Sequence, residues 1–274
     1  MDLLLLVLDC KRGSFYRKSD PMALEIVRVG RYRARFASSE IDVSAAQSLR
    51  YQCFNLSNKD ELDVDDFDTL CQHVLIENLE TEQLICCYRI LSFENGNNIS
   101  YSYSSQFYDL KAIESYSEPM IEVGRFCIDP AVNDPRVALT AWAALAQLVD
   151  QNKTGLLFGC SSFEGIEKEK YLDSFALLRD KYMAPDHWRP KIKAAQVFYY
   201  SKDLIYKVNT KKALLNMPPL LKTYLSMGAW VSDHAVVDLN MKTLHLFTGM
   251  EISKIPKSRK NFLLNLAKLS FSEH

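Results

Sequence analysis

Residues 29–37, VGRYRARFA, alternate along the chain. Tyr32, Ala34 and Phe36 share one face and Arg31, Arg33 and Arg35 the other, which predicts a half-buried strand. Asp42 or Ser44 is placed to cap a helix running through Ala45, Leu49 and Cys53. An acidic stretch, DELDVDDFD (60–68), follows. Two strand-like runs, HVLIEN and QLICCYRILSF, then flank the polar LETE (79–82) and predict an antiparallel hairpin. The polar residues 92–105 read as loop. IEVGRFCI (121–128) predicts a strand ending at Asp129-Pro130. RVALTAWAALAQLVDQ predicts a helix with Val137, Ala141, Ala144, Leu145 and Leu148 in register. LLFGCSSF (156–163) reads as a short buried strand, with a charged helix after it near 165–181. Strand, helix and strand in this order suggest a parallel crossover. QVFYY (196–200), AVVDL (235–239) and TLHLF (243–247) add strands. The mixed order predicts an α+β or mixed α/β sheet with helices on both faces.

Composition narrows the class. Hydrophobic residues make up 48% and charged residues 24% of 274, which excludes disorder over most of the chain. A formal net charge of −1 gives no bulk affinity for nucleic acid. That average joins a local +6 over residues 201–274 to −7 before them. The basic end suits an acidic partner, an anionic membrane surface or simple solvation. Cys10, Cys53, Cys71, Cys86, Cys87, Cys127 and Cys160 include no Cys-x-x-Cys pair and sit mostly in apolar runs, as buried thiols do in a reducing compartment. The five histidines lack metal-ligand spacing, so no metal is expected. The run from Leu3 to Leu8 is too short to span a bilayer, and residues 1–21 carry no signal-peptide pattern. The organised pattern starts after Met22, so residues 1–21 are expected to be a non-native or disordered extension. No GxGxxG, GxxxxGK[ST] or GxSxG motif is present.

LRYQCF (49–54), DDFDTLCQH (65–73), CYRIL (87–91), EVGRFCIDP (122–130), LLFGCSSFEG (156–165) and PPLLKTYLSMGAWV (218–231) occur in that order. The ordered set resembles the GNAT-fold ornithine lipid synthase family over roughly residues 28–250. The resemblance implies an acyltransferase domain over residues 22–250 with an elaborated C-terminal region, and an amphipathic basic tail over 251–274. It implies transfer of a 3-hydroxyacyl chain from acyl carrier protein to the α-amine of ornithine. Acyl-phosphopantetheine is then a co-substrate, no cofactor is bound, and the site is cytoplasmic or peripheral on the inner membrane. Four features depart from the family pattern: Gln72, the Cys86-Cys87 pair, the few basic residues after EVGRFCIDP, with only Arg136 nearby, and the missing pyrophosphate loop. The last suits a carrier protein better than coenzyme A.

Amine attack on a thioester needs a base, a stabilised oxyanion and a thiolate leaving group. Glu122, in an apolar strand, is the candidate base, with a salt-bridged structural role as its rival. Arg125 would face the opposite side of a regular strand, and a bulge at Gly124 would turn both to one cleft. Arg50, Arg89 and Arg125 interrupt apolar patterns and need partners. Asp65, Asp66 and Asp68 are near in sequence. In the functional reading an arginine grips the α-carboxylate and an aspartate meets the δ-ammonium. In the structural reading they form an ion-pair network. Phe54 would floor a cleft or fill the core. Ser161 and Ser162 would bind the pantetheine arm or end the strand. Cys160 as a nucleophile is discounted, because sequence places no histidine beside it. Lys207, Lys211, Lys212 and Lys222 would dock the carrier, and residues 258–271 would lie on anionic lipid or on their own domain. Acyl-homoserine-lactone synthases share the Arg50/Phe54, Asp65/Asp68, Arg89 and Glu122/Arg125 order but lack the PPLLK segment. A hemolysin-like membrane protein without catalysis is the third reading.

Overall fold

The computed structural model describes residues 25–54, 61–205 and 207–269, with side chains to residue 266. Residues 1–21, Met22 and Phe271 lie outside the described residues. Contacts gather into two compact units. One holds the residues to Leu91, Gly124–Gln151 and those from Lys260; the other holds Ser92–Val123 and Asn152–Arg259.

In the first unit β1 (Glu25–Val29) and β2 (Tyr32–Phe36) form a hairpin. The alternating run is therefore two strands. Gly30, at φ +59°, supplies the left-handed residue that a two-residue turn requires. The expected faces hold: Tyr32, Ala34 and Phe36 are buried and the arginines between them are half-exposed. Helix α1 (Glu40–Cys53) starts two residues before Asp42. Its cap is Ser39, which accepts from the Asp42 N–H at 3.2 Å, whereas Asp42 itself binds Arg35. β2 pairs with β3 (Gln72–Asn78), and β3 with β4 (Gln83–Phe93), as the predicted hairpin. Leu49, Leu75, Cys87 and Cys127 form a core, with Phe54 packed on its edge. Helix α2 (Pro135–Gln151) buries Val137, Ala141, Ala144, Leu145 and Leu148, the predicted stripe.

The second unit carries a short pair of β5 (Tyr108–Asp109) and β8 (Lys191–Ile192). β6 (Met120–Ile128) crosses the unit boundary. Its residues Met120, Ile121 and Glu122 pair in parallel with Leu156, Leu157 and Phe158 of β7 (Leu156–Glu164), the outcome expected of the crossover. β9 (Val197–Phe198), β10 (Trp230–Val231), β11 (Ala235–Asp238) and β12 (Thr243–Glu251) complete its sheet, and β12 runs antiparallel to β7 over nine pairs. The predicted charged helix is split into a 3-10 turn, Lys168–Tyr171, and α3 (Leu172–Lys181). Helices α4 (Tyr200–Asp203), α5 (Thr210–Asn216) and α6 (Pro219–Ser226) follow, and α7 (Lys257–Leu269) ends the described chain. Among the described residues no helix is long and apolar enough to cross a membrane.

Gly159 sits where β7 meets β6. A Cβ there would lie 2.2 Å from the Val123 carbonyl oxygen, a backbone atom. Gly159→Ala should cost about 1–3 kcal/mol through forced separation of the strands. Denaturant unfolding checks this, and an unchanged midpoint refutes it.

Candidate functional site

The acidic stretch folds into a 3-10 turn, Asp66–Thr69, with Asp65 as its cap. Asp65 accepts from the Phe67 N–H at 3.0 Å, and Asp68 accepts from the Asp65 N–H at 3.3 Å. This reciprocal cap aims both carboxylates inward. Asp63, which sequence reasoning passed over, is 6% exposed and is anchored by its N–H to the Gln47 carbonyl of α1. Asp66 points outward and is exposed.

Three arginines close on these three carboxylates. Arg50 is 1% exposed and reaches both Asp68 oxygens, at 2.8 and 2.9 Å. Its Nε lies 2.9 Å from Asp63 as an ion pair without hydrogen-bond alignment. Its second terminal nitrogen donates to the Asp63 carbonyl. Arg89 donates to both oxygens of Asp65 and, at 2.8 Å, to Asp68. The Phe67 ring lies against it. Arg125 donates to Asp63 at 2.8 Å and Asp65 at 3.0 Å. Its φ of +52° makes Arg125 the irregular residue of β6, where Gly124 was expected. That conformation costs about 1–3 kcal/mol and is held by the two carboxylates. Arg50, Phe54, Asp65, Asp68, Arg89 and Arg125 thus all lie in the first unit. Phe54 packs on the edge of its core, and the three arginines already have acidic partners.

Burial tends to raise the Asp68 pKa. The hydrogen bonds from Arg50 and Gln47 and the charges of Arg50 and Arg89 outweigh it and hold the carboxyl well below its usual range. Asp65 behaves likewise, with Arg89 as its main partner. Burial alone would lower the Arg89 pKa, yet Asp65 raises it.

His73 is buried beneath this cluster, with Nε2 3.0 Å from the Asp68 carbonyl oxygen, so that nitrogen carries the proton. Desolvation lowers its pKa, against the pull of Asp68 and with the help of Arg50 and Arg89. The unfolded chain, at about 6.5, therefore binds the proton first as pH falls. His73 should cost stability as pH drops through about 6.5 toward the folded value. His73→Gln should flatten that part of a urea-unfolding series; an unchanged slope refutes it.

Glu122 lies in the second unit and is 4% exposed. Its Oε2 accepts from the Tyr103 N–H at 2.8 Å. Its Oε1 accepts from the Ser104 N–H at 2.8 Å and the Ser104 hydroxyl at 2.6 Å. The carboxylate thus anchors the start of the 3-10 turn Ser104–Gln106, the second of two such turns, after Gly96–Tyr101, in the predicted loop. Ser104 Oγ also lies 3.5 Å from Cys160 Sγ. Ser104 was missed by sequence reasoning. Its one signal was that a buried glutamate needs donors and that 100–105 is rich in serine. Ser161 is buried and accepts from the Thr248 hydroxyl at 2.9 Å, whereas Ser162 is exposed on the other face of β7. The structure does not bring the two serines together. Among the described residues no group of three or more His, Cys, Asp or Glu is placed to hold a metal.

Residues 49–143 match the acetyltransferase (GNAT) domain. A solved N-acyl amino acid synthase from uncultured soil microbes superposes with a TM-score of 0.48 at 11% identity, over 84% of this chain and 99% of that one. An L-ornithine N(alpha)-acyltransferase of Brucella abortus (strain 2308) is 29% identical over 90% of this chain and 93% of its own. One of Rhizobium meliloti (strain 1021) is 28% identical over 86% and 85%. The chain thus carries a GNAT acetyltransferase domain and is similar over most of its length to these L-ornithine N(alpha)-acyltransferases.

Proposed function

We propose that the protein moves a 3-hydroxyacyl chain from acyl carrier protein to the α-amine of ornithine, giving lyso-ornithine lipid. The observation that carries this reading is the paired arginine–aspartate cluster, in a chain similar over nearly its whole length to relatives named for ornithine. Ornithine presents one carboxylate and a second cation. Arg125 and Asp65 are the partners of matching sign that reach solvent, their side chains 11% and 22% exposed. Arg125 receives the carboxylate and Asp65 the δ-ammonium, by exchange with their present partners. Arg50 and Arg89, 1% and 3% exposed, hold the aspartates in place.

Glu122 serves as the base through Ser104. The hydroxyl takes the amine proton as it passes its own to Oε1, the amine forms the amide bond, and the pantetheine thiolate leaves. Because the pyrophosphate loop is missing, a carrier protein suits the donor role better than coenzyme A.

The test is incubation with 3-hydroxyacyl carrier protein and, separately, ornithine, a homoserine-type acceptor or no acceptor, with lipids read by mass spectrometry. Product with ornithine supports the reading. Product only with the homoserine-type acceptor favours the lactone-synthase alternative, and no product with any acceptor overturns transfer. Cys160→Ala should retain activity within about threefold if transfer is direct. A stable labelled acyl-enzyme formed without ornithine would refute the direct route.

A further inference from the structure

Residues 103–109 of the second unit cross one face of its sheet. Ser104 stands on Glu122 of β6 and beside Cys160 of β7, and Tyr108 stands on His245 of β12. The 3-10 turn that begins at Ser104 is three residues long, and its cap, Tyr103, gives it no side-chain hydrogen bond. So short a turn does not hold itself, and its place is set from outside. At its start Glu122 accepts from the Tyr103 and Ser104 N–H groups. At its far end the buried Tyr108 hydroxyl donates to the His245 carbonyl at 2.9 Å. A hydroxyl has one proton, so in the 3.1 Å contact with His245 Nδ1 it is the ring nitrogen that donates. Burial pushes the Tyr108 phenol pKa up, so the hydroxyl remains a donor at neutral pH. Along its edge β8 pairs with β5, and just beyond that pair the Lys193 ammonium donates to the Ser105 carbonyl at 2.6 Å. The Ala194 N–H donates to the Phe107 carbonyl at 2.9 Å.

Ser104 lies between these anchors. Its hydroxyl and its N–H share one oxygen, Glu122 Oε1, at 2.6 and 2.8 Å. A shift of the turn by about 1 Å would break both bonds. From this we infer that Tyr108 and Lys193 are positioning residues, which hold the turn so that the Ser104 hydroxyl stays on the Glu122 carboxylate. The inference rests on the reading of Glu122 as a base acting through Ser104. A loosened turn takes donors away from a carboxylate, which raises its pKa, and it carries the relay hydroxyl away from the amine.

Tyr108→Phe keeps the ring contacts with Phe247 and His245 and removes the hydroxyl. Lys193→Met removes an ammonium from an exposed position, so the variant should fold. Lys191→Met, which takes the same charge from an exposed position two residues away, is the control. Hydrogen exchange of the full chain, read at the Tyr103 and Ser104 amides, should quicken about tenfold in Tyr108→Phe and Lys193→Met but not in Lys191→Met. In the first two kcat should fall about tenfold with KM within about twofold, and the acid limb of kcat/KM should move to higher pH. A variant that only loses folded protein keeps the wild-type limb. Unchanged exchange at those amides overturns the role of the residue replaced, and faster exchange with kcat and the acid limb unmoved overturns the inference. Exchange needs no turnover. A wild type inactive with every acceptor therefore overturns the acyl-transfer reading instead, and exchange still decides whether the two residues hold the turn.

Discussion

Arg50→Ala should lower the free energy of unfolding by about 3–5 kcal/mol. The guanidinium is 1% exposed and pairs with Asp68 and Asp63 in a region where water cannot replace it. Its removal leaves two buried carboxylates with fewer donors than charges. Arg89 and Gln47 still reach Asp68, which sets the upper limit of the loss. Arg50→Met combined with Asp68→Leu should recover part of the deficit, because it removes both desolvated charges together. Recovery will be incomplete, since Arg89 then loses its bond to Asp68. The sign with pH follows from the depressed carboxyls. Asp65 and Asp68 titrate below their unfolded values of about 3.9, so their stabilising contribution is present above that and is lost as pH falls through the folded values. The deficit should persist at neutral pH and shrink below about pH 4. Urea unfolding at both pH values measures it, and a neutral-pH loss under about 1 kcal/mol would make the cluster no more than a surface ion pair.

The same cluster marks how far the sequence could be read. Arginines inside apolar runs predicted their own burial, because a guanidinium among Leu49, Cys87 and Ile90 must find an acid. Which acid was hidden. Asp63 and Asp68 turn inward and Asp66 outward because a cap and a 3-10 turn set their directions, and an unbroken acidic run carries no period to show this. Strands with clear alternation, such as β2, were legible down to the face. The break at Gly30 was not, because alternation continues across a two-residue turn. The cap at Ser39 was missed for a related reason: Asp42 has the right residue type, but its carboxylate is committed to Arg35. Glu122 was legible as a buried acid. Its partners were not, because they are two backbone N–H groups and a serine from a segment with no regular pattern.

Glu122→Gln should reduce kcat/KM by about 10²- to 10⁴-fold if the carboxylate takes the amine proton. The substitution is close to isosteric, yet it has a structural cost. Both carboxylate oxygens now face N–H donors, and a glutamine amide must turn its own NH2 toward one of them, at about 1–3 kcal/mol. Loss of activity alone therefore does not separate a base from an anchor for residues 102–106. The pH dependence does. A base must be ionised to act, so kcat/KM for the wild type should fall on the acid side, and that limb should vanish in Glu122→Gln. Ser104→Ala removes the 2.6 Å donor and the relay hydroxyl but leaves both N–H contacts and the charge. It should keep the acid limb, displaced, while lowering kcat more than it raises KM. If Glu122 only anchors the turns, both variants lose activity in step with the folded fraction and the acid limb survives in Glu122→Gln. Thermal melts beside pH–rate profiles of the two variants decide between these outcomes.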